Sequence, residues 1–74
     1  MENRITFNPN ILQGKPIIKG TRISVEFILE LLASGMRPED IIAEYPRLKL
    51  GDVRAAIEYA AKTVKREDII FVRL

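Results

Sequence analysis

The stretch Glu39-Asp40-Ile41-Ile42-Ala43-Glu44-Tyr45-Pro46-Arg47-Leu48-Lys49-Leu50-Gly51-Asp52-Val53-Arg54-Ala55-Ala56-Ile57 reads as a short helix, a tight turn and a longer helix. Pro38, just ahead of it, suits a first helical position, where its missing amide would have no partner anyway. Glu39 and Asp40 then set negative charge against the positive end of the helix dipole. Ile41, Ile42 and Tyr45 supply an apolar face, and Pro46 ends the helix. Leu48 provides the apolar anchor of the turn. Val53 and Ala56 are expected to face back onto the first helix of the pair, and Ala43 to be small where the two helices approach. This is the helix-turn-helix pattern.

Outward from this block the spacing stays helical. The third helix is expected from about Leu50 to about Arg66, with Val53, Ala56, Ile57, Ala60, Ala61 and Val64 as its apolar stripe. Arg54, Glu58, Lys62 and Lys65 form its polar row. Beyond it, Ile69-Ile70-Phe71-Val72 is β-prone and predicts a short C-terminal strand. On the other side, Val25, Ile28, Leu29 and Leu32 recur at helical spacing. Ser24 is the natural N-cap of that helix, and Gly35 ends it after Ser34. Further back, Pro9, Gly14, Pro16 and Gly20 cut the chain into short pieces. Ile5-Thr6-Phe7 and Pro16-Ile17-Ile18-Lys19 are candidate strands. Gly14-Lys15-Pro16 and Lys19-Gly20-Thr21-Arg22 are candidate turns. The expected fold is mainly α, a three-helix helix-turn-helix with a short N-terminal β-hairpin or arm and a short C-terminal strand. It forms a single domain over 1–74, with the arm at 1–23, the helical core at 24–67 and a tail at 68–74.

Composition limits what such a domain can do. At 74 residues it buries only about 60% of its unfolded surface, so it is marginal alone. It has no cysteine and no histidine, which removes disulfides, thiolate ligands, and the commonest general base and metal ligand. Self-association or a partner is the remaining staple. A hydrophobic share of 47% is that of a globular chain. No apolar run is long enough to cross a bilayer, and Met1-Glu2-Asn3-Arg4 lacks the apolar stretch of a signal peptide, so a cytoplasmic protein with no membrane contact is expected. The net charge of +2 and pI near 9.2 permit nucleic-acid binding without requiring it.

Catalytic motifs fail on inspection. Gly14-Lys15-Pro16 has neither the glycine spacing nor the following Ser or Thr of a phosphate loop. Glu39, Asp40 and Glu44 are accounted for as first-turn and surface charges, and no serine has a histidine base. No catalytic residue, metal ligand or cofactor is expected. The chemistry of the helix-turn-helix is groove reading instead. Arg47, Lys49 and Arg54 lie in the turn and the first part of the third helix, which enters the major groove in such domains. Arginine there forks onto guanine, and lysine more often meets phosphate. Lys15, Lys19 and Arg22 on the arm are placed to hold backbone phosphates. The competing account is a plain three-helix core with solvated cations, and Glu44, Asp52 and Glu58 set negative charge near the reading surface. An operator-binding protein and a protein-interaction module that never contacts DNA both stay open at this point.

Three blocks carry a resemblance. Gly14-Lys15-Pro16-Ile17-Ile18-Lys19-Gly20-Thr21-Arg22-Ile23-Ser24-Val25, then Gly35-Met36-Arg37-Pro38-Glu39-Asp40-Ile41 with Tyr45-Pro46, then Val53-Arg54-Ala55-Ala56-Ile57-Glu58-Tyr59-Ala60 resemble, in order, a bacterial and archaeal family of unknown function, number four-three-three in its series. The resemblance implies a homeodomain-like helix-turn-helix. Members resemble VapB-type antitoxins and are often encoded beside PIN-like nuclease toxins. That implies two partners, a PIN-like toxin and operator DNA. Two residues depart from the family pattern: Lys49 and Arg37 stand where a Ser or Thr N-cap is usual, each losing a cap worth roughly 1 kcal/mol. A role in phosphate contact would account for both, and so would drift at exposed positions.

A homodimer is expected, because the core is small and short strands leave open edges. For the tail, two fates are open. It pairs within the fold, or it docks the partner through Arg66, Ile70, Phe71, Val72 and Arg73, with Arg73 entering the acidic metal site of a nuclease.

Overall fold

The computed structural model describes residues 4–72, and the side chains of residues 4–65. Strand β1 (Ile5–Phe7) pairs antiparallel with β2 (Pro16–Ile18), Ile5 opposite Ile18 and Phe7 opposite Pro16. A single 3-10 turn at Leu12–Gly14 lies between them. Helices α1 (Val25–Ala33), α2 (Pro38–Glu44) and α3 (Leu50–Val72) follow. The architecture is mainly helical with an N-terminal hairpin, as the patterning predicts.

Local signals account for most boundaries. Ser24 Oγ accepts from the Phe27 amide at 2.9 Å and caps α1. Its other end closes in a Schellman motif. The Gly35 amide donates to Leu32 O, the Met36 amide donates to Leu31 O, and Gly35 adopts a φ of +105°. Side chains at Leu31 and Met36, the two ends of that motif, both pack against the core. Pro38 occupies the first turn of α2. The turn Lys19–Arg22 is tied by Thr21, whose hydroxyl donates to Ile18 O and accepts from the Ile23 amide. That returns the chain alongside β2, and Ile17 bridges to Ser24.

The core gathers one or two residues from β2, from each helix and from the turn between α2 and α3. Ile18, Val25, Ile28, Ile41, Leu48, Val53 and Ala56 form one buried cluster. Leu48 is the anchor of the turn, as expected, and Val53 and Ala56 face inward. Phe27 meets Tyr45 edge-on at 5.5 Å.

Three expectations need correction. Ala43 is exposed, and the residue that α2 buries in the core is Ile41 instead. On α3, Ile57, Ala61 and Val64 are exposed, while Asp52, Val53, Ala55 and Ala56 are buried. The buried arc is therefore turned toward Asp52 and Tyr59, leaving Ile57 and Ala61 at its edge. The C-terminal strand is also replaced: α3 is a single helix from Leu50 to Val72, so Ile70, Phe71 and Val72 are helical. No glycine or proline interrupts the chain after Gly51. An established helix gains one hydrogen bond per residue fixed, whereas a β-prone run needs a paired strand.

Candidate nucleic-acid interface

The basic residues expected to hold DNA fall in three places. The first is the junction of the hairpin, the helix-turn-helix turn and the start of α3. Arg4 enters it from the strand. Its carbonyl accepts from the Lys19 amide at 2.8 Å, and its guanidinium Nη1 donates to Asp52 Oδ1 at 2.8 Å. Arg47 enters from the turn, its Nη2 donating to Gly20 O at 3.2 Å. Lys19 and Arg22 flank that same glycine turn, and Lys49 is the N-cap residue of α3. So Arg4, Lys19, Arg22, Arg47 and Lys49 surround one corner of the molecule. Arg4 was not anticipated from sequence, where it is a lone cation near the N-terminus with no motif about it.

Asp52 organises this corner. It is buried, and it accepts from Arg4 with one oxygen and from the Lys49 backbone amide with the other, at 2.9 Å. Lys49 has no side-chain acceptor, so the third residue of the helix caps it from inside. Helix α2 repeats the device: the Arg37 amide donates to Asp40 Oδ2 at 3.0 Å. Each is half of a capping box, the acidic half. The spacing Arg37-x-x-Asp40 and Lys49-x-x-Asp52 was the available signal. It shows that Asp52 is consumed by the fold, and its charge is balanced by Arg4. Gly51 leaves room for this pair, since a Cβ there would fall 2.6 Å from the Arg4 guanidinium carbon.

Arg54 lies apart from the corner, on the outer face of α3. Its side chain is 81% exposed and reaches Glu58 at 3.5 Å. Around it the surface is apolar: Leu50 is 52% and Ile57 44% exposed, and both line a shallow concavity with Pro38 and Arg54. Lys15 is at a third place. Its Nζ pairs with Glu26 Oε1 at 3.0 Å, on the rim of an apolar groove of about 510 Å³ between α1 and α3 lined by Leu29, Tyr59 and Val64. Of the six residues expected to hold DNA, the fold therefore joins Lys19, Arg22, Arg47 and Lys49, and separates Arg54 and Lys15. The expected partner-binding side chains Arg66, Ile70, Phe71 and Val72, and Arg73 entirely, lie outside the described residues.

No helix among the described residues is long and apolar enough to cross a membrane. None of their carboxylates forms a cluster able to hold a metal ion.

Known proteins resemble this chain in fold and in sequence. A crystal structure of a DUF433 member protein from Anabaena variabilis superposes with a TM-score of 0.80 at 27% identity, covering 96% of this chain and 70% of that one. The uncharacterised protein y4eO of Sinorhizobium fredii is 34% identical over 56 residues, which are 76% of this chain. The chain spans only 25% of that relative's length. The family model described as "Protein of unknown function (DUF433)" matches residues 5–60, which takes in the hairpin, α1, α2 and the packed half of α3. The chain belongs to the DUF433 family.

Proposed function

We propose that this domain is a DNA-binding antitoxin of a toxin–antitoxin pair, which binds its own operator and neutralises a PIN-like nuclease. The observation that carries the DNA half is the basic corner at the start of α3. Arg4, Lys19, Arg22, Arg47 and Lys49 have their chain positions around it, and Asp52 is internally satisfied. Phosphates would sit against Lys49, Arg47 and the arm, so that α3 lies along the major groove. On this reading Arg54 meets a base edge. Its pair with Glu58 is exposed and long, worth at most a few tenths of a kcal/mol, so it yields readily to guanine.

Binding to the upstream DNA should fall steeply with salt. Lys49→Ala should weaken binding to all sequences and reduce the salt slope by about one unit. Arg54→Ala should relax sequence preference more than it lowers affinity for random DNA. Unchanged isotherms for both variants would remove α3 as the reading helix.

The toxin half rests on the family resemblance and on the last turns of α3, which carry Arg66, Ile70, Phe71 and Val72. Co-purification with the product of the adjacent gene tests it. A second reading has its own support: exposed Leu50 and Ile57 beside Pro38 favour a protein partner on the outer face of α3. On that reading the domain never touches DNA, and Ile57→Glu abolishes partner capture in an otherwise folded protein.

A further inference from the structure

Helix α3 packs on the body with its first part and continues without it. Ala60 is half-buried, Ala61 to Lys65 are exposed, and the helix runs on to Val72. Positions 61 to 72 amount to about 18 Å of helix at the standard rise. A helix that short gains little from its own hydrogen bonds in water and owes its stability to the packing of one face. Where it leaves the body lies the groove of about 510 Å³ between α1 and α3. Leu29 and Ala33 of α1 form one wall, and Tyr59, Ala60, Thr63 and Val64 of α3 form the other.

The walls suit a helix. Ala33, Ala60 and Thr63 are small, so a second helix can come close. Thr63 brings no open polar group, because its hydroxyl donates to Tyr59 O at 3.0 Å within its own helix. Val64 lies at the groove's edge and is 60% exposed. Charge then names the occupant. Helix α1 carries Glu26 and Glu30 and no cation. The stretch Ala61-Lys62-Thr63-Val64-Lys65-Arg66 carries three cations and no carboxylate. Glu26 takes Lys15 at 3.0 Å. Glu30 borders the groove, and its carboxylate has no hydrogen-bond or ion-pair partner among the described residues.

We propose that this groove is the seam of a homodimer, in which the projecting part of α3 from each copy lies in the α1–α3 groove of the other. The contact is isologous: Ala60 and Val64 wall one groove and fill the other, so one two-fold axis near them satisfies both. The cations at positions 65 and 66 then come alongside the α1 of the second copy, which carries Glu30. That match of charge favours a second copy over an unrelated apolar segment. It also sets dimerisation on the helices rather than on the open strand edges. Neither Arg54 nor any residue of the basic corner lines the groove, so the seam stands whether or not that corner binds DNA.

Sedimentation equilibrium of the full chain, alone and at tens of micromolar, is the test. The mass should be twice the 8.5 kDa of one chain. Val64→Glu should give a monomer that keeps the amide NMR dispersion of the parent, because Val64 is exposed beyond the packed part of α3. Glu30→Lys should weaken dimerisation about tenfold or more, and Lys65→Glu with Arg66→Glu should do the same. All three charge reversals together should restore it, which damage to the fold would not do. Ile57→Glu, on the outer face of α3, should leave the dimer intact. A monomeric parent overturns the proposal. So does a dimer indifferent to Val64→Glu or to Glu30→Lys, or one that the combined reversals fail to restore. A dimer broken by Ile57→Glu and not by Val64→Glu moves the seam to the outer face. A monomer that captures the product of the adjacent gene, and loses it on Val64→Glu, gives the groove to that partner. Either result also overturns the proposal. None of them touches the DNA reading, which fails instead on Lys49→Ala and Arg54→Ala.

Discussion

Asp52 is the residue on which two long-range requirements meet. One oxygen ends the backbone of α3 and the other holds Arg4, which lies 48 positions away in sequence. Replacement by alanine removes a cap and leaves a half-exposed guanidinium unpaired. The cap is worth about 1 kcal/mol, and the partly solvent-screened pair adds at most about the same. Asp52→Ala should therefore lower unfolding free energy by about 1–2 kcal/mol in urea titration. Asp52→Asn keeps an acceptor for the Lys49 amide and should lose less than half of that. Equal losses for the two variants would show that the charge, not the cap, dominates.

At the scale of the element, α2 and α3 begin in the same unusual way, with a basic residue at the N-cap and the acceptor supplied from within by Asp40 or Asp52. A serine at either N-cap would add a second acceptor for the first turn. It would also remove a positive charge from the positive end of the dipole. Arg37→Ser and Lys49→Ser should each stabilise the fold by about 0.5–1 kcal/mol, read as a rise in the denaturation midpoint. The two should differ in binding. Lys49 stands in the basic corner, so Lys49→Ser should also weaken DNA binding, and Arg37→Ser should leave it nearly unchanged. A destabilised Lys49→Ser would mean that its side chain supports the fold itself.

Across the whole molecule, the buried residues run from Ile17 to Ala56 among those described, and the family match ends at residue 60. Helix α3 continues past that point to Val72, and Ala61 to Lys65 are exposed. Among the described side chains, the partly buried stretch of α3 thus ends at Ala60. Removal of residues 69–74 should shift the thermal midpoint by less than about 5 °C, equivalent to about 1 kcal/mol in a domain this small. The proposed function adds that the shortened protein stays dimeric and no longer holds its toxin. A lost thermal transition would show that these residues belong to the fold, and a monomeric mass would assign them to the dimer contact.

Much of this protein was legible in its sequence wherever the physics is local. Ser24, Gly35 and Pro38 mark their helix ends because each cap is made within a few residues of itself. Leu48, Val53 and Ala56 could be placed inside because helical period and turn geometry fix their direction. The signals gave less where the outcome depends on what an element meets. Ile57 matches the helical stripe as well as Ala56 does, and only the position of α1 beside α3 exposes one and buries the other. Ile69 to Val72 favour a strand by composition, but a strand needs a partner, and an uninterrupted helix does not. The basic corner could not be read at all as a unit. Arg47 reaches Gly20 across 27 positions and Arg4 reaches Asp52 across 48, and charges on a surface have no period to announce which of them will meet. The sequence by itself determined the three helices and the ends marked by Ser24, Gly35 and Pro38, through bonds made inside single turns, but not where the third helix stops. The tertiary structure alone decided which cations stand together, because that depends on how the hairpin folds back against the start of α3.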